Sequence, residues 1–244
     1  MSTPQDSSNV EPKEVSSFER WRQRAAWVTG LGLSPEDQKK REEFNLLKGM
    51  ESDWKRCEKW KTEMLHNSPA VVFMMKQLQL IDCNVTAEHL QCHPCHKVSA
   101  GGFSPQHGIL LCQDGFFNKK HMEDTVVHEL IHMYDHAKFK ADMTNIKHQA
   151  CSEIRAANLS GDCSYRRNVH RGHWYKFTGH QRVNFFRSPY LWFTQQCPQA
   201  CVRMRAVASL VQNPACPSQA AAEKAVDEVW DSCIKDTRPF DEIY

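Results

Sequence analysis

The sequence predicts a predominantly helical α+β fold, and three observations predict it. Apolar residues recur at helical spacing through most of the chain. One stretch, residues 98–113, instead alternates and is punctuated by Gly101, Gly102 and Gly108. The chain has 244 residues, 41% of them apolar, which is enough to bury one sizeable core.

In chain order, residues 1–16 are polar and rich in Ser and Pro, and predict a disordered tail; residues 17–244 predict a single domain. From Ser17 to about His66 the pattern is helical and charged, with Trp21, Trp27, Phe44, Leu47, Trp54 and Trp60 as apolar anchors. Aromatic residues at that spacing read first as core and second as membrane-surface anchors. A short helix follows Pro69, which suits a first-turn position. Residues 98–113 predict a hairpin whose edge strand can hold an extended peptide by backbone hydrogen bonds. Then come a helix around residues 122–133, a second around residue 153 that ends near Gly161, and two closing helices at about 199–212 and 218–234.

The helix around 122–133 carries the chemistry. Residues 128–132 read His-Glu-Leu-Ile-His, and on a helix positions i and i+4 share a face, so His128 and His132 can aim two imidazoles at one Zn²⁺. Glu129 stands beside them as the general base that takes a proton from an attacking water. Met122, Val126, Val127, Leu130, Ile131 and Met133 make the segment apolar, and Glu123 and Asp124 suit a helix N-terminus. The domain expected around such a helix is zincin-like. A catalytic zinc takes three protein ligands, and the favoured third is Glu153, returning from the next helix. Asp135, on the same helix face as His128, is the alternative, or else a support for the ligands. His136 reads as a solvated neighbour.

Eleven cysteines fit an oxidising compartment better than a reducing one. Cys92-His93-Pro94-Cys95 has three readings: a redox pair, half of a zinc site, or two disulfide halves. The disulfide reading is favoured, with Cys57, Cys83, Cys112, Cys151, Cys163, Cys201 and Cys233 as further members. An odd count leaves a thiol over, and Cys197 and Cys216 are the expected outsiders. No run approaches the roughly 20 apolar residues that span a bilayer. Residues 1–19 lack a secretory h-region, and Asp6, Glu11, Glu14 and Glu19 against Lys13 argue against a mitochondrial presequence.

Several runs together resemble a known family. His128 to His136, then Ala-Cys-Ser-Glu-Ile-Arg-Ala-Ala-Asn-Leu-Ser-Gly-Asp-Cys at 150–163, are similar to the mitochondrial metalloproteases that process an ATP synthase membrane subunit and assist assembly of that complex. Cys-His-Pro-Cys with the following Ala-Gly-Gly-Phe, Ile-Leu-Leu-Cys-Gln at 109–113 and Lys-Ala-Val-Asp-Glu-Val-Trp-Asp-Ser-Cys at 224–233 agree. The resemblance implies a zinc endopeptidase peripheral to the mitochondrial inner membrane, facing the intermembrane space. It would remove the N-terminal extension of an ATP synthase Fo subunit precursor, with a separate assembly role that needs no cleavage. It places the zinc histidines on His128 and His132 and the catalytic glutamate on Glu129; Glu153 stays an inference from the residues.

One stretch departs from this pattern. From Cys163 to Ala222 there is no Asp or Glu, while Arg166, Arg167, Arg171, Lys176, Arg182, Arg187, Arg203 and Arg205 are basic and aromatic residues interleave them. Such a surface could meet anionic lipid or nucleic acid. The chain's formal charge of +2 predicts no bulk polyanion binding, and no nucleic-acid partner is expected. Against the family, residues 183–195 look inserted: either a translated intron or a surface loop.

Overall fold

The computed structural model describes residues 17–95, 99–163 and 192–241. The expected tail at 1–16, most of the 183–195 segment, and the basic and aromatic side chains from Arg166 to Phe193 lie outside the described residues. The chain forms two compact units, residues 1–52 and 53–244.

In the first unit the long helical pattern breaks in two. Helix α1 spans Ser17–Thr29 and α2 begins at Pro35, running to Asn67. Gly30, with φ of 80°, takes the left-handed conformation that ends α1, and its N–H bonds Ala26 O at 2.8 Å. Ser34 accepts from Asp37 N at 3.1 Å and starts α2, with Pro35 in the first turn. The expected core role of the apolar anchors is overturned for Trp21, Phe44, Leu47 and Trp54, which are exposed; Trp27 and Trp60 are half-buried. In a two-helix pair each helix covers only one face of its partner, so the outward stripes are left uncovered within the chain.

The second unit holds two cores. The first packs the C-terminal half of α2, helix α3 (Pro69–Leu80), a three-stranded sheet and helix α4 (Lys119–Phe139). Ser68 caps α3, accepting from Val71 N at 3.3 Å, and its hydroxyl also bonds the Glu123 carboxylate, tying α3 to α4. The hairpin is present as β2 (Gly101–Ser104) and β3 (Gly108–Cys112), paired antiparallel. A further strand, β1 (Leu90–His93), was not anticipated; it pairs parallel with β3, giving the order β1-β3-β2. The close approach of β1 explains Gly108: a Cβ there would lie 2.4 Å from His89 O. The buried Lys61 ammonium donates to Leu90 O at 3.0 Å and to Glu58 at 2.8 Å, fixing β1 to α2.

The second core packs α5 (Ile146–Leu159), α6 (Trp192–Leu210) and α7 (Gln219–Cys233) around Ile154, Val202, Leu210, Val226 and Trp230. Disulfides staple both cores: Cys57–Cys92 and Cys95–Cys112 in the first, Cys151–Cys233 and Cys163–Cys201 in the second. The Cys-His-Pro-Cys pair therefore splits between two partners. Cys216 is free, as expected, while Cys83 is free against expectation. Cys83 is half-buried against the first core, where burial pushes its thiol pKa up and keeps it unreactive. The Cys197 side chain lies outside the described residues.

Replacing Cys151 and Cys233 together by Ala releases a constraint between residues 82 apart. It should lower the unfolding free energy by roughly 2–5 kcal/mol in urea titrations, whereas Cys83→Ala should cost well under that. Peptide mapping of the oxidised protein without reductant should recover the four pairs.

Candidate metal centre

The centre lies where the two cores meet, on the crossing of α4 and α5. Asn118 starts α4 by accepting from His121 N at 2.8 Å. Every residue from Asp124 to Asp135 is buried, because α4 is covered by α3, by the sheet and by α5. Two buried histidines one turn apart then share a face, and their ring nitrogens require polar partners or an ion. Across from them α5 presents Glu153. His128 Nε2 lies 3.6 Å from Glu153 Oε2, and His132 Nε2 lies 3.6 Å from Glu153 Oε1. Tetrahedral ligands at roughly 2.0–2.1 Å from a zinc ion stand roughly 3.3–3.4 Å apart, close to the spacing of Glu153 from each histidine, and one ligand atom from each of the three residues lies within 4.8 Å of the others. Among the described residues, this is the cluster of His, Cys, Asp and Glu whose atoms converge as metal ligands do.

The electrostatics point the same way. Burial disfavours charge on His132 and lowers its pKa to about 4, leaving a neutral imidazole ready to ligate. Burial acts likewise on His128, but Asp162, Glu153 and Glu129 outweigh it and raise the pKa to about 10. Glu153 is opposed by burial yet held at about 2 by His132, His128 and Ser209. Without an ion, the cluster of carboxylates thus keeps a proton on His128; a cation can take that proton's place. Burial pushes the Glu129 carboxyl up to about 7, a basicity suited to accepting a proton near neutral pH.

Polar groups behind the ligands set their orientation. His132 Nδ1 lies 2.8 Å from Ser152 Oγ, which donates to Asp135 Oδ2 at 2.8 Å, and Arg155 Nη1 donates to Asp135 Oδ1 at 2.7 Å. Burial pushes the Asp135 carboxyl up to about 7, and the Arg155 guanidinium opposes that shift. Asp135 therefore supports His132 from behind rather than converging with the three ligands. Asp162 Oδ2 is 3.3 Å from His128 Nδ1, within ion-pair reach though not aligned as a hydrogen bond, and 2.8 Å from Arg205 Nη2. Ser209 on α6 donates to Glu153 Oε1 at 2.5 Å. His136 is half-buried instead of solvated, its Nδ1 lying 3.1 Å from Ala141 O.

Ser152, Arg155, Asp162, Arg205 and Ser209 escaped the sequence reading. A Ser and an Arg placed among the alanines of α5 were a usable signal; Asp162, Arg205 and Ser209 depend on how the chain returns and had none. The cluster opens into a cleft of about 990 Å³, walled by Gly101, Gly102 and Phe103 of β2 on one side and by Met204, Arg205 and Ala208 of α6 on another. Ser152→Ala should weaken zinc binding roughly 10–100-fold in competition with a chelator, while changing stability by only about 1 kcal/mol. Unchanged affinity would show that the Asp135 relay does not orient His132.

The peptidase M76 family matches residues 55–241. The mitochondrial inner membrane protease ATP23 of Yarrowia lipolytica is 40% identical over 237 residues, 96% of this chain and 87% of that protein. The protein of the same name from Meyerozyma guilliermondii is 38% identical over 239 residues, 98% of this chain and 92% of that one. That of Saccharomyces cerevisiae S288c is 40% identical over 233 residues, 94% and 96% of the two chains. No solved structure matches the chain. A match over most of the chain, including the whole of the buried cluster, means that the protein belongs to the peptidase M76 family.

Proposed function

We propose that this chain is a zinc endopeptidase attached peripherally to the mitochondrial inner membrane on its intermembrane-space side. There it removes the N-terminal extension of a mitochondrially encoded ATP synthase Fo subunit and assists that subunit's assembly. The observation that carries the chemistry is the convergence of two imidazoles and a carboxylate beside a buried Glu129. His128, His132 and Glu153 would hold the ion, and zinc there would supply Lewis acidity toward a peptide carbonyl and its attacking water.

The remaining steps belong to the protein. Glu129, buried beside the two histidines, accepts a proton from the attacking water at its carboxylate and returns it to the leaving amine. Strand β2 pairs with β3 by one edge, and Gly101 to Phe103 line the cleft, so an extended peptide can lie along β2 by backbone hydrogen bonds. Gly101 keeps this wall thin: a Cβ there would lie 2.8 Å from Leu110 O and 3.1 Å from the Thr125 side chain.

The location is supported by the relatives' names, by the four disulfides among the described residues, which suit an oxidising compartment, and by the finding that no helix among those residues is long and apolar enough to cross a membrane. Glu129→Gln should retain the metal and lose cleavage of the Fo subunit precursor by roughly 10²–10⁴-fold. Cells carrying it should still assemble ATP synthase, as a separate assembly role requires. Cleavage at the wild-type rate would contradict the mechanism, and failed assembly would contradict the second role.

A further inference from the structure

The candidate metal cluster is His128, His132 and Glu153, and the family model matches from residue 55, while the relatives align over 96–98% of the chain, most of residues 17–52 included. This first unit carries the most exposed run of large apolar side chains at helical spacing. No residue of α1 is buried. Phe18 is 67% exposed, Trp21 63%, Val28 75%, and Leu31 in the following turn 76%. At 3.6 residues per turn, Phe18, Trp21, Ala25 and Val28 fall within an arc of roughly 80°, so they form one ridge. The Phe18 and Trp21 rings stack with centroids 6.0 Å apart.

The opposite side of α1 is already used. Trp27 meets Phe44 edge-on at 6.1 Å, and the Arg41 guanidinium donates to Trp27 O and to Val28 O, the latter at 2.9 Å. The helix pair is thus held together by a face other than the ridge. Arginines border the ridge on both sides: Arg24 on one, and Arg22, ion-paired with Glu19 at 2.6 Å, on the other. Arg20 adds a third cation to α1 against the single Glu19. Indole and phenyl rings flanked by guanidinium groups make a helix suited to the boundary between headgroups and acyl chains. The excess of positive charge complements anionic headgroups.

We propose that α1 lays the ridge of Phe18, Trp21 and Val28, with Leu31, into the surface of an anionic lipid bilayer, and that this contact attaches the peptidase to its membrane. The inference rests on the membrane location in the reading above and supplies the element responsible for it.

Flotation of the full-length oxidised protein with phosphatidylcholine vesicles containing about one quarter phosphatidylglycerol tests it. The wild type should float with the vesicles, and Phe18→Ser/Trp21→Ser/Val28→Ser should cut the bound fraction roughly tenfold or more. Arg20→Gln/Arg24→Gln should weaken binding to these vesicles but leave binding to pure phosphatidylcholine unchanged. The triple variant should keep the wild-type metal content and thermal unfolding, because no ridge residue is a member of either core; should it fold poorly, Val28→Glu alone should show the loss. Equal flotation of wild type and ridge variants overturns the proposal, as does a wild type that binds neither vesicle. A wild-type dimer that the ridge variants dissolve also overturns it, by giving the ridge to a second copy of the chain. Any of these failures leaves the Glu129→Gln cleavage assay untouched, so the anchor and the peptidase reading fail separately.

Discussion

The ion pair between Asp135 and Arg155 is the contact on which the rest of the site depends. Arg155 is 2% exposed and joins α4 to α5 at 2.7 Å, so neither charge can be hydrated and each requires the other. Its other contacts extend the clamp: Nη2 donates to Arg238 O near the C-terminal end of the described chain, and the guanidinium lies over the Phe139 ring at 5.2 Å. With α4 and α5 locked in this register, Ser152 falls beside His132 and Glu153 falls between the two histidines. A slip of one residue along either helix would rotate a ligand about 100° away from the centre.

The two cores make this register hold. Each would be small on its own, and each is stapled by two disulfides that link elements far apart in sequence. The candidate metal centre occupies the seam between them, where α4 of one core meets α5 of the other and α6 closes over with Arg205 and Ser209. A seam suits such a centre physically. It is dry enough to shift the pKa values of Glu129 and His132, yet it opens along β2 into a cleft that a peptide can enter. The proposed ligands lie on helices rather than loops, which would limit the rearrangement needed to bind an ion.

Local signals were legible in the sequence and relayed ones were not. The spacing of His128 and His132 is a property of any helix, so their pairing could be read directly, and Glu153 followed from the need for a third ligand. The hairpin showed through its glycines, and the end of α5 through Gly161, whose φ of 82° turns the chain so that Asp162 comes back to His128. Strand β1 was invisible because four residues, Leu90 to His93, carry too little alternation, and their parallel partner lies across an intervening hairpin strand. Ambiguity between core and surface defeated the reading of Trp21, Phe44, Leu47 and Trp54: helical spacing reports that a face is apolar, never what covers it. The cysteine count gave an oxidised framework but not its pairing, and Cys83 was assigned to it wrongly.

One centre carries the proposed chemistry, and its proposed ligand set is specific. X-ray absorption at the zinc edge of the folded, oxidised protein, together with the metal content per chain, reads that set directly. We expect one zinc per chain with two imidazole nitrogens and carboxylate oxygen in its inner shell, and no sulfur. A protein that folds with its disulfides formed yet takes up no zinc, or one that binds zinc through thiolate sulfur, would contradict the assignment of His128, His132 and Glu153 and with it the mechanism built on Glu129.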